Sequence, residues 1–304
     1  MSVIAGLGVA PLQAGVILYE GFDYNIANNT SIHGTQATGS GIQGNWTVTN
    51  TGPGSPSSTY QTAGLSFGPN FATSSGGSLR LGATYGSGTN VVTTATVSLS
   101  ATATGTVWGS YLANYTTIGL ANGGSMLAGV ATTAEGTTSN LKAGVASNTL
   151  ATDRKLAAGY DNSSTVSGNF AFATGTTYLF ISRFTNVGAT LGGGTNGVAT
   201  TWALTLAQYE NWLSTGATEA GLDNNYSVRV NDTSTSGTSA FDPTGHLMFR
   251  ADAPDNNGSS MIAVVDEIRF GTALADVHVV PEPSAVLLGS GAGMIPFLRR
   301  RRMA

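Results

Sequence analysis

Short runs of alternating apolar and polar residues follow one another along the chain, separated by Gly, Asn, Ser and Pro. In the run 106–112, Val107 and Trp108 point to opposite faces, as the two-residue period of a β-strand requires. Further strands are predicted at 91–100, 178–184, 226–230, 246–250 and 261–270. This succession of short strands and turns predicts an all-β sandwich or jelly roll.

One segment has a helical pattern instead. Thr205 and Gln208 have the spacing of a capping box, in which each side chain accepts a hydrogen bond from the other residue's backbone amide. Leu206, Tyr209 and Leu213 then recur on one helical face. The pattern predicts a short helix that starts at Thr205 and packs on the edge of the sandwich.

The composition agrees with an all-β chain and excludes several other classes. The 304 residues are 41% hydrophobic and 9% charged, with 42 glycines. Coiled coils and helical bundles need more Glu, Lys, Arg and Leu, and a nucleic-acid binder needs a basic face, so these classes are excluded. The length fits one sandwich rather than two average domains. The absence of cysteine excludes disulfides and thiolate metal sites.

The last 24 residues combine three features in a fixed order. Pro281, Glu282 and Pro283 form a hinge, because the two prolines lack amide donors and restrict the residues before them. The uncharged segment 285–298 would form a helix about 21 Å long, shorter than the hydrocarbon core of a bilayer. The chain then carries a basic cluster of Arg299, Arg300, Arg301 and Arg302. A core helix with a solvated tail is the alternative, but the fixed order favours a membrane segment with the arginines on the cytoplasmic side.

This tail resembles the PEP-CTERM sorting signal of Gram-negative and related bacteria, whose name-giving motif matches residues 280–284. The resemblance implies that the chain is a substrate of an exosortase, a membrane enzyme that would process it near the motif. In that interpretation Pro281, Glu282 and Pro283 are recognised, and Arg299 to Arg302 orient the segment in the inner membrane. The body would then reach the cell surface or the extracellular matrix.

A C-terminal sorting signal requires an export signal at the N-terminus. Residues 2–14 contain an apolar stretch with a cleavage position after Ala14, but no Lys or Arg precedes it. Either the true start lies upstream or the signal peptide is weak or truncated. The predicted organisation is therefore a signal peptide at 1–15, a β-sandwich at 16–279 and a sorting signal at 280–304.

Two further fragments resemble the first and last strands of concanavalin A-like, laminin-G-like jelly rolls. They are LYEGFDY at 18–24 and VDEIRFG at 265–271, and the resemblance extends over about 16–279. It implies a jelly-roll sandwich whose first and last strands pair in one sheet. The first hypothesis is a lectin-like, non-catalytic body, for which fold analogy makes polysaccharide the leading candidate ligand. A divergent glycoside hydrolase and a purely structural matrix protein stay open as alternatives.

A glycosidase needs two carboxylates across a cleft, about 5 to 9.5 Å apart. Glu20 with Asp23 and Asp266 with Glu267 are the available pairs, and the members of each pair fall on opposite faces of a strand. The structural alternative is that Glu267 pairs with Arg269 on one strand face, while Asp266 caps a turn or accepts a hydrogen bond from a loop. The sequence favours this alternative and predicts no catalytic residue.

Calcium and sugar are the ligands that the remaining residues could bind. Oxygen-rich loops contain Asp223, Asp252 and Asp255 as calcium candidates, although Asx-rich turns are also common without metal. An exposed aromatic ring can stack on a sugar, and Trp46 is the candidate because it follows a Gly-rich loop. Burial of Trp46 in the core is the alternative, and Trp108 is expected in the core.

Overall fold

The computed structural model describes residues 15–52, 57–71, 76–84, 91–118, 125–133, 139–147, 154–160, 165–166, 172–253 and 260–278. The predicted signal peptide, apart from Gly15, lies outside these ranges, and so do the predicted sorting signal with its C-terminal helix and Asp255. Within these ranges no helix has the length and apolar character needed to cross a membrane.

The described ranges contain mostly strands. In chain order these are β1 Val16–Glu20, β2 Ile42–Thr51, β3 Ser57–Gln61, β4 Ser78–Thr84, β5 Val91–Leu99, β6 Gly105–Ile118, β7 Ser125–Ala131, β8 Ser139–Ser147, β9 Arg154–Tyr160, β10 Thr165–Val166, β11 Thr177–Val187, β12 Thr190–Leu191, β13 Gly197–Leu204, β14 Val228–Ser234, β15 Gly237–Thr238, β16 His246–Ala253 and β17 Ser260–Gly271. The helices are α1 Leu206–Ser214, α2 Glu219–Leu222 and a 3₁₀ helix at Leu274–Asp276. Each predicted strand run overlaps one of these strands, which confirms the predicted strands.

The strands build two antiparallel sheets. The first has the order β14-β13-β11-β6-β17-β4-β3, and β1 also pairs with β17. The second has the order β10-β9-β8-β7-β16-β5-β2, while β12 and β15 form a separate pair. The chain repeatedly changes sheet, for example from β4 to β5 and from β16 to β17. The result is a jelly-roll β-sandwich, which confirms the predicted fold class.

The first and last strands pair with each other, as the sequence predicts. β1 runs antiparallel to β17, with Leu18 opposite Phe270 and Glu20 opposite Ile268. Beyond the strands, the amide of Thr272 donates to the carbonyl of Gly15 at 3.1 Å. The beginning and the end of the described body therefore meet at one place.

The buried apolar residues fall into two clusters. Val107 belongs to the larger cluster, which has members in both sheets and fills the space between them. Trp108 belongs to the second cluster, on the outer face of the first sheet. The two-face pattern predicted for β6 is confirmed.

Helix α1 covers the second cluster. Thr205 is its N-cap: the Gln208 amide donates to the Thr205 hydroxyl at 3.4 Å, and the Thr205 amide donates to Gln208 Oε1 at 2.9 Å. The buried Tyr209 and Trp212 pack the helix toward β11 and β13, next to the edge strand β14. The predicted helix and its capping box are confirmed. Helix α2 was not predicted, because four residues carry no readable helical period.

Candidate functional site

The carboxylates of the first and last strands are buried. Glu20 and Glu267 are 0% exposed and Asp266 is 1% exposed, whereas Asp23 is exposed. Asp266 Oδ2 accepts a hydrogen bond from the amide of Leu65 at 2.7 Å, which confirms the predicted bond to a loop. Burial raises the pKa of Asp266 to about 8, and the nearby charges of Glu267 and Glu20 act in the same direction. Burial also raises the pKa of Glu20.

Glu267 and Arg269 form the predicted same-face pair on β17, with 2.7 Å between Oε2 and Nη2. The hydroxyl of Tyr19 donates to Glu267 at 3.2 Å, and the Arg269 guanidinium lies 4.4 Å from the centre of the Tyr19 ring. Glu267 has a φ of 55° where the register between β17 and β6 shifts. Such a shift is the mark of a β-bulge, which re-aims side chains. Through these contacts Tyr19 on β1 joins Glu267 and Arg269 on β17.

The structure corrects the expectation that Trp46 is exposed for sugar stacking. Trp46 is 1% exposed, and its indole N–H donates to the Tyr24 hydroxyl at 2.7 Å. Its ring stacks on Phe22 at 5.9 Å and lies 6.1 Å from the ring of Phe249. The register between β2 and β5 shifts between residues 43 and 47. Trp46 lies in this irregular segment. Burial in the core, the alternative interpretation, is what the structure shows.

Two of the calcium candidates lie on different elements, and each contacts an arginine. Asp252 on β16 pairs with Arg250 at 3.2 Å, and Asp223 at the C-cap of α2 pairs with Arg229 at 3.3 Å. The third, Asp255, is not among the described residues. In the part of the chain that the structure describes, no group of three or more His, Cys, Asp or Glu residues could hold a metal ion.

An open polar surface lies on the outer face of the first sheet, beside α2. The strand register places Arg183 on β11 opposite Trp108 on β6, and Arg229 on β14 opposite Trp202 on β13. Each guanidinium lies over its neighbour's ring, at 5.9 Å for Arg183 and 5.6 Å for Arg229. The two indoles are nearly parallel, 6.1 Å apart with 13° between their planes. We call these four residues the arginine–tryptophan surface.

Helix α2 brings one carboxylate to each arginine of this surface. Glu219, in its first turn, forms an ion pair with Arg183. Asp223, at its C-cap, pairs with Arg229 and also accepts a hydrogen bond from Trp202 Nε1 at 2.9 Å. The arginine side chains are 26% and 33% exposed, and the carboxylate side chains are 39% and 41% exposed. Donors and acceptors therefore alternate on a surface that water and ligands can reach.

The strand register sets how far apart the backbones of the two arginines lie. Arg183 and Arg229 lie two strands apart and two residues apart along the strands, so their Cα atoms are separated by roughly 12 Å. Asn231, which is exposed, lies in the same cross-strand row as Arg183 and adds an amide.

Sequence reasoning placed Trp108 in the core but did not predict this arrangement. Trp108 was expected in the core and is 5% exposed, and Trp202 is 0% exposed. The arginines cover the rings, so the indoles serve as platforms rather than as stacking faces for a sugar. The arginines come from strands far apart in the sequence, and only the register of β6, β11, β13 and β14 places them over the rings.

Comparison with known proteins adds structural likenesses only. No family model matches the sequence, and no curated protein matches it. The chain is similar to the globular domain of T. cruzi calreticulin, with 10% identity over 86% of this chain and 90% of that one and a TM-score of 0.44. It is also similar to a glycosyl hydrolase family protein from Mycobacterium fortuitum, with 12% identity over 83% and 97% of the two chains and a TM-score of 0.43. A third similar structure is the carbohydrate recognition domain of Emp47p, with 7% identity over 85% of this chain and 97% of that one and a TM-score of 0.40.

Identities and TM-scores this low carry no conclusion about ligand or activity. The strand order and antiparallel pairing themselves define the class of the body, which is a jelly-roll β-sandwich.

Proposed function

We propose that this chain is an exported cell-surface or extracellular-matrix protein whose sandwich binds polysaccharide without cleaving it. The arginine–tryptophan surface is the single observation that carries the binding part. The order of hinge, apolar segment and arginines in residues 281–302 supports the sorting part. In this proposal an exosortase processes the chain near Pro281, Glu282 and Pro283, and the tail with Arg299 to Arg302 stays in the membrane.

The surface suits sugar hydroxyls, because a hydroxyl both donates and accepts hydrogen bonds. The guanidinium groups of Arg183 and Arg229 supply donors, and the carboxylates of Glu219 and Asp223 supply acceptors beside them. The cation–π contacts with the indoles hold the arginines in place before a ligand arrives. A preorganised surface loses less conformational entropy on binding, which favours affinity.

Binding rather than hydrolysis is proposed because of how the carboxylates are placed. Glu20, Asp266 and Glu267 are buried among protein groups, away from any ligand on the surface. Glu219 and Asp223 reach solvent, but each is engaged as the ion-pair partner of an arginine. Such a pair is suited to hold a ligand by hydrogen bonds.

The binding part is tested with a panel of neutral and acidic polysaccharides and two variants, Arg183→Lys and Arg229→Lys. Lysine keeps the charge but loses the planar group that stacks on the indole and forms paired hydrogen bonds. We expect each variant to lose about tenfold in affinity, which corresponds to about 1.4 kcal/mol. Arg250→Lys is the matched control, because Arg250 also pairs with a carboxylate and is 25% exposed, but lies on the second sheet.

The same panel separates the alternatives. A polysaccharide that binds equally well to the native protein and to both surface variants would contradict the proposed surface. A folded protein that binds none of the panel would favour a structural matrix role. Release of new reducing ends would favour the glycoside hydrolase.

The sorting part is tested by replacing Pro281, Glu282 and Pro283 together with alanine in cells that export the protein. We expect the unprocessed chain to accumulate in the inner membrane, because the motif that the exosortase recognises is lost. Ser284→Ala is the control. Unchanged delivery of the triple variant to the surface would contradict the sorting proposal.

A further inference from the structure

Gly15 lies against the side chain of Asp276, at the place where the first and last strands meet. A Cβ atom built on Gly15 would collide with Oδ2 of Asp276 and would lie 2.8 Å from the hydroxyl of Thr272. Standard bond lengths therefore place the backbone nitrogen of Gly15 within roughly 5 Å of this carboxylate. The φ of Gly15 is 129°, a backbone conformation that only glycine adopts without strain.

Asp276 is held in a fixed position beside Gly15. It is 7% exposed, and its Oδ2 accepts a hydrogen bond from the amide of Ala273 at 2.8 Å. Gly271 lies on its other side, because a Cβ there would also collide with Asp276. The carboxylate is therefore enclosed by backbone from both ends of the described body.

Gly15 is also the residue that would follow the cleavage position predicted after Ala14. We propose that removal of residues 1–14 creates an ion pair between the new α-ammonium group of Gly15 and Asp276, which locks the first strand onto the last. This inference rests on the export part of the proposed function.

The chemistry of the step is a hydrolysis with water as co-reactant. A signal peptidase breaks the amide bond between Ala14 and Gly15; the hydroxyl of water joins the Ala14 carbonyl, and its hydrogen joins the Gly15 nitrogen. An α-amino group ordinarily has a pKa of about 7.7–8.0, so it takes up a further proton at neutral pH. The neutral amide nitrogen, which has one N–H donor, thereby becomes a cation with three N–H donors. It lies beside the carboxylate of Asp276, which is largely buried.

The test compares two forms of the chain, residues 1–304 and residues 15–304, each with and without Asp276→Asn, in one mild detergent. Asparagine keeps an oxygen that can accept the Ala273 bond but removes the charge. Hydrogen exchange of the amides in Val16–Glu20 reports how firmly β1 is held. In the 15–304 form we expect Asp276→Asn to speed this exchange about fivefold, the factor that corresponds to about 1 kcal/mol. In the 1–304 form we expect a clearly smaller effect.

Asp242→Asn is the matched control, because Asp242 also accepts a backbone hydrogen bond within a turn, from Thr244 at 2.8 Å. We expect it to act equally on both forms. Equal effects of Asp276→Asn on the two forms would overturn the inference and leave Asp276 as a turn cap only.

N-terminal sequencing of the exported protein provides the second arm. A start at Gly15 supports the inference, and a start at any other residue overturns it. Retention in the cytoplasm with residues 1–14 intact would instead overturn the export proposal, while the two purified forms still decide whether the ion pair forms.

Discussion

Arg269 and Glu267 form a buried ion pair, with side chains that are 8% and 0% exposed. They are two residues apart on β17, at a bulge that gives Glu267 its positive φ. Tyr19 of β1 contacts both, through its hydroxyl and through its ring. Tyr19 therefore links the first strand to the last through its side chain, in addition to the backbone hydrogen bonds between the two strands.

Breaking this pair should destabilise the fold strongly. We expect Glu267→Ala to lower the free energy of unfolding by about 3–5 kcal/mol, because it leaves the Arg269 charge buried without its carboxylate. Tyr19→Phe keeps the ring beneath Arg269 and removes the hydroxyl that donates to Glu267, so its cost should be about 0.5–1.5 kcal/mol. Urea unfolding at pH 7 measures both. A change of less than about 0.5 kcal/mol for Glu267→Ala would show that the ion pair does not stabilise the fold.

Asp266 should make the protein less stable as the pH rises. Its pKa is about 8 in the folded state and about 3.9 in an unfolded chain, so the folded state holds more protons between these values. Stability is then fully present below about pH 4 and falls by up to roughly 1.4 kcal/mol per pH unit until about pH 8. Glu20, whose pKa is also raised, acts in the same direction.

Asp266→Asn isolates this contribution, since the amide does not titrate. Unfolding free energies measured from pH 5 to pH 9 should fall less steeply in the variant than in the native protein. Parallel curves for the two proteins would mean that Asp266 is not the group responsible.

Trp46 should matter for stability and not for ligand binding. We expect Trp46→Ala to cost about 3–5 kcal/mol, because it empties a packed site between Phe22 and Phe249. Trp46→Phe should cost less, since a ring stays in place while the hydrogen bond to Tyr24 is lost. Thermal unfolding measures stability, and the polysaccharide panel measures binding. Loss of binding by a folded Trp46→Phe protein would restore the sugar-stacking role.

The capping box of α1 gives a smaller, local prediction. Thr205→Ala removes the side-chain acceptor for the amide of Gln208 and should destabilise the protein by about 1 kcal/mol. Thr205→Ser keeps the hydroxyl and serves as the control. Equal stability of the alanine and serine variants would mean that the cap contributes nothing.

The elements with strong local signals were predictable from the sequence. The alternation around Val107 and Trp108 is repeated over several residues, and the Thr205–Gln208 spacing marks a helix start, so β6 and α1 could be identified. The pairing of β1 with β17 followed from the resemblance at 18–24 and 265–271. Strands such as β7 and β8 are rich in Gly and Ala, which carry weak β-propensity, and their neighbours in the sheet define them.

The arginine–tryptophan surface could not be predicted from local sequence patterns. Nothing near Arg183 or Arg229 in the sequence shows that each will lie on a tryptophan, because the partners come from other strands. For Trp46 the hypothesis of exposure is wrong for a related reason, and its alternative, burial in the core, is what the structure shows. Its sequence neighbours Gly44 and Asn45 are typical of a loop, while the residues that bury it, Tyr24 and Phe249, lie far away along the chain.

The central claim is that the C-terminal tail is a membrane address removed from a polysaccharide-binding body. The intact mass of the protein recovered from the cell surface or the medium tests this claim most directly. We predict a chain that ends near Pro281–Pro283 and lacks Arg299–Arg302. A protein recovered from the cytosol with its tail and all four arginines intact would contradict the account.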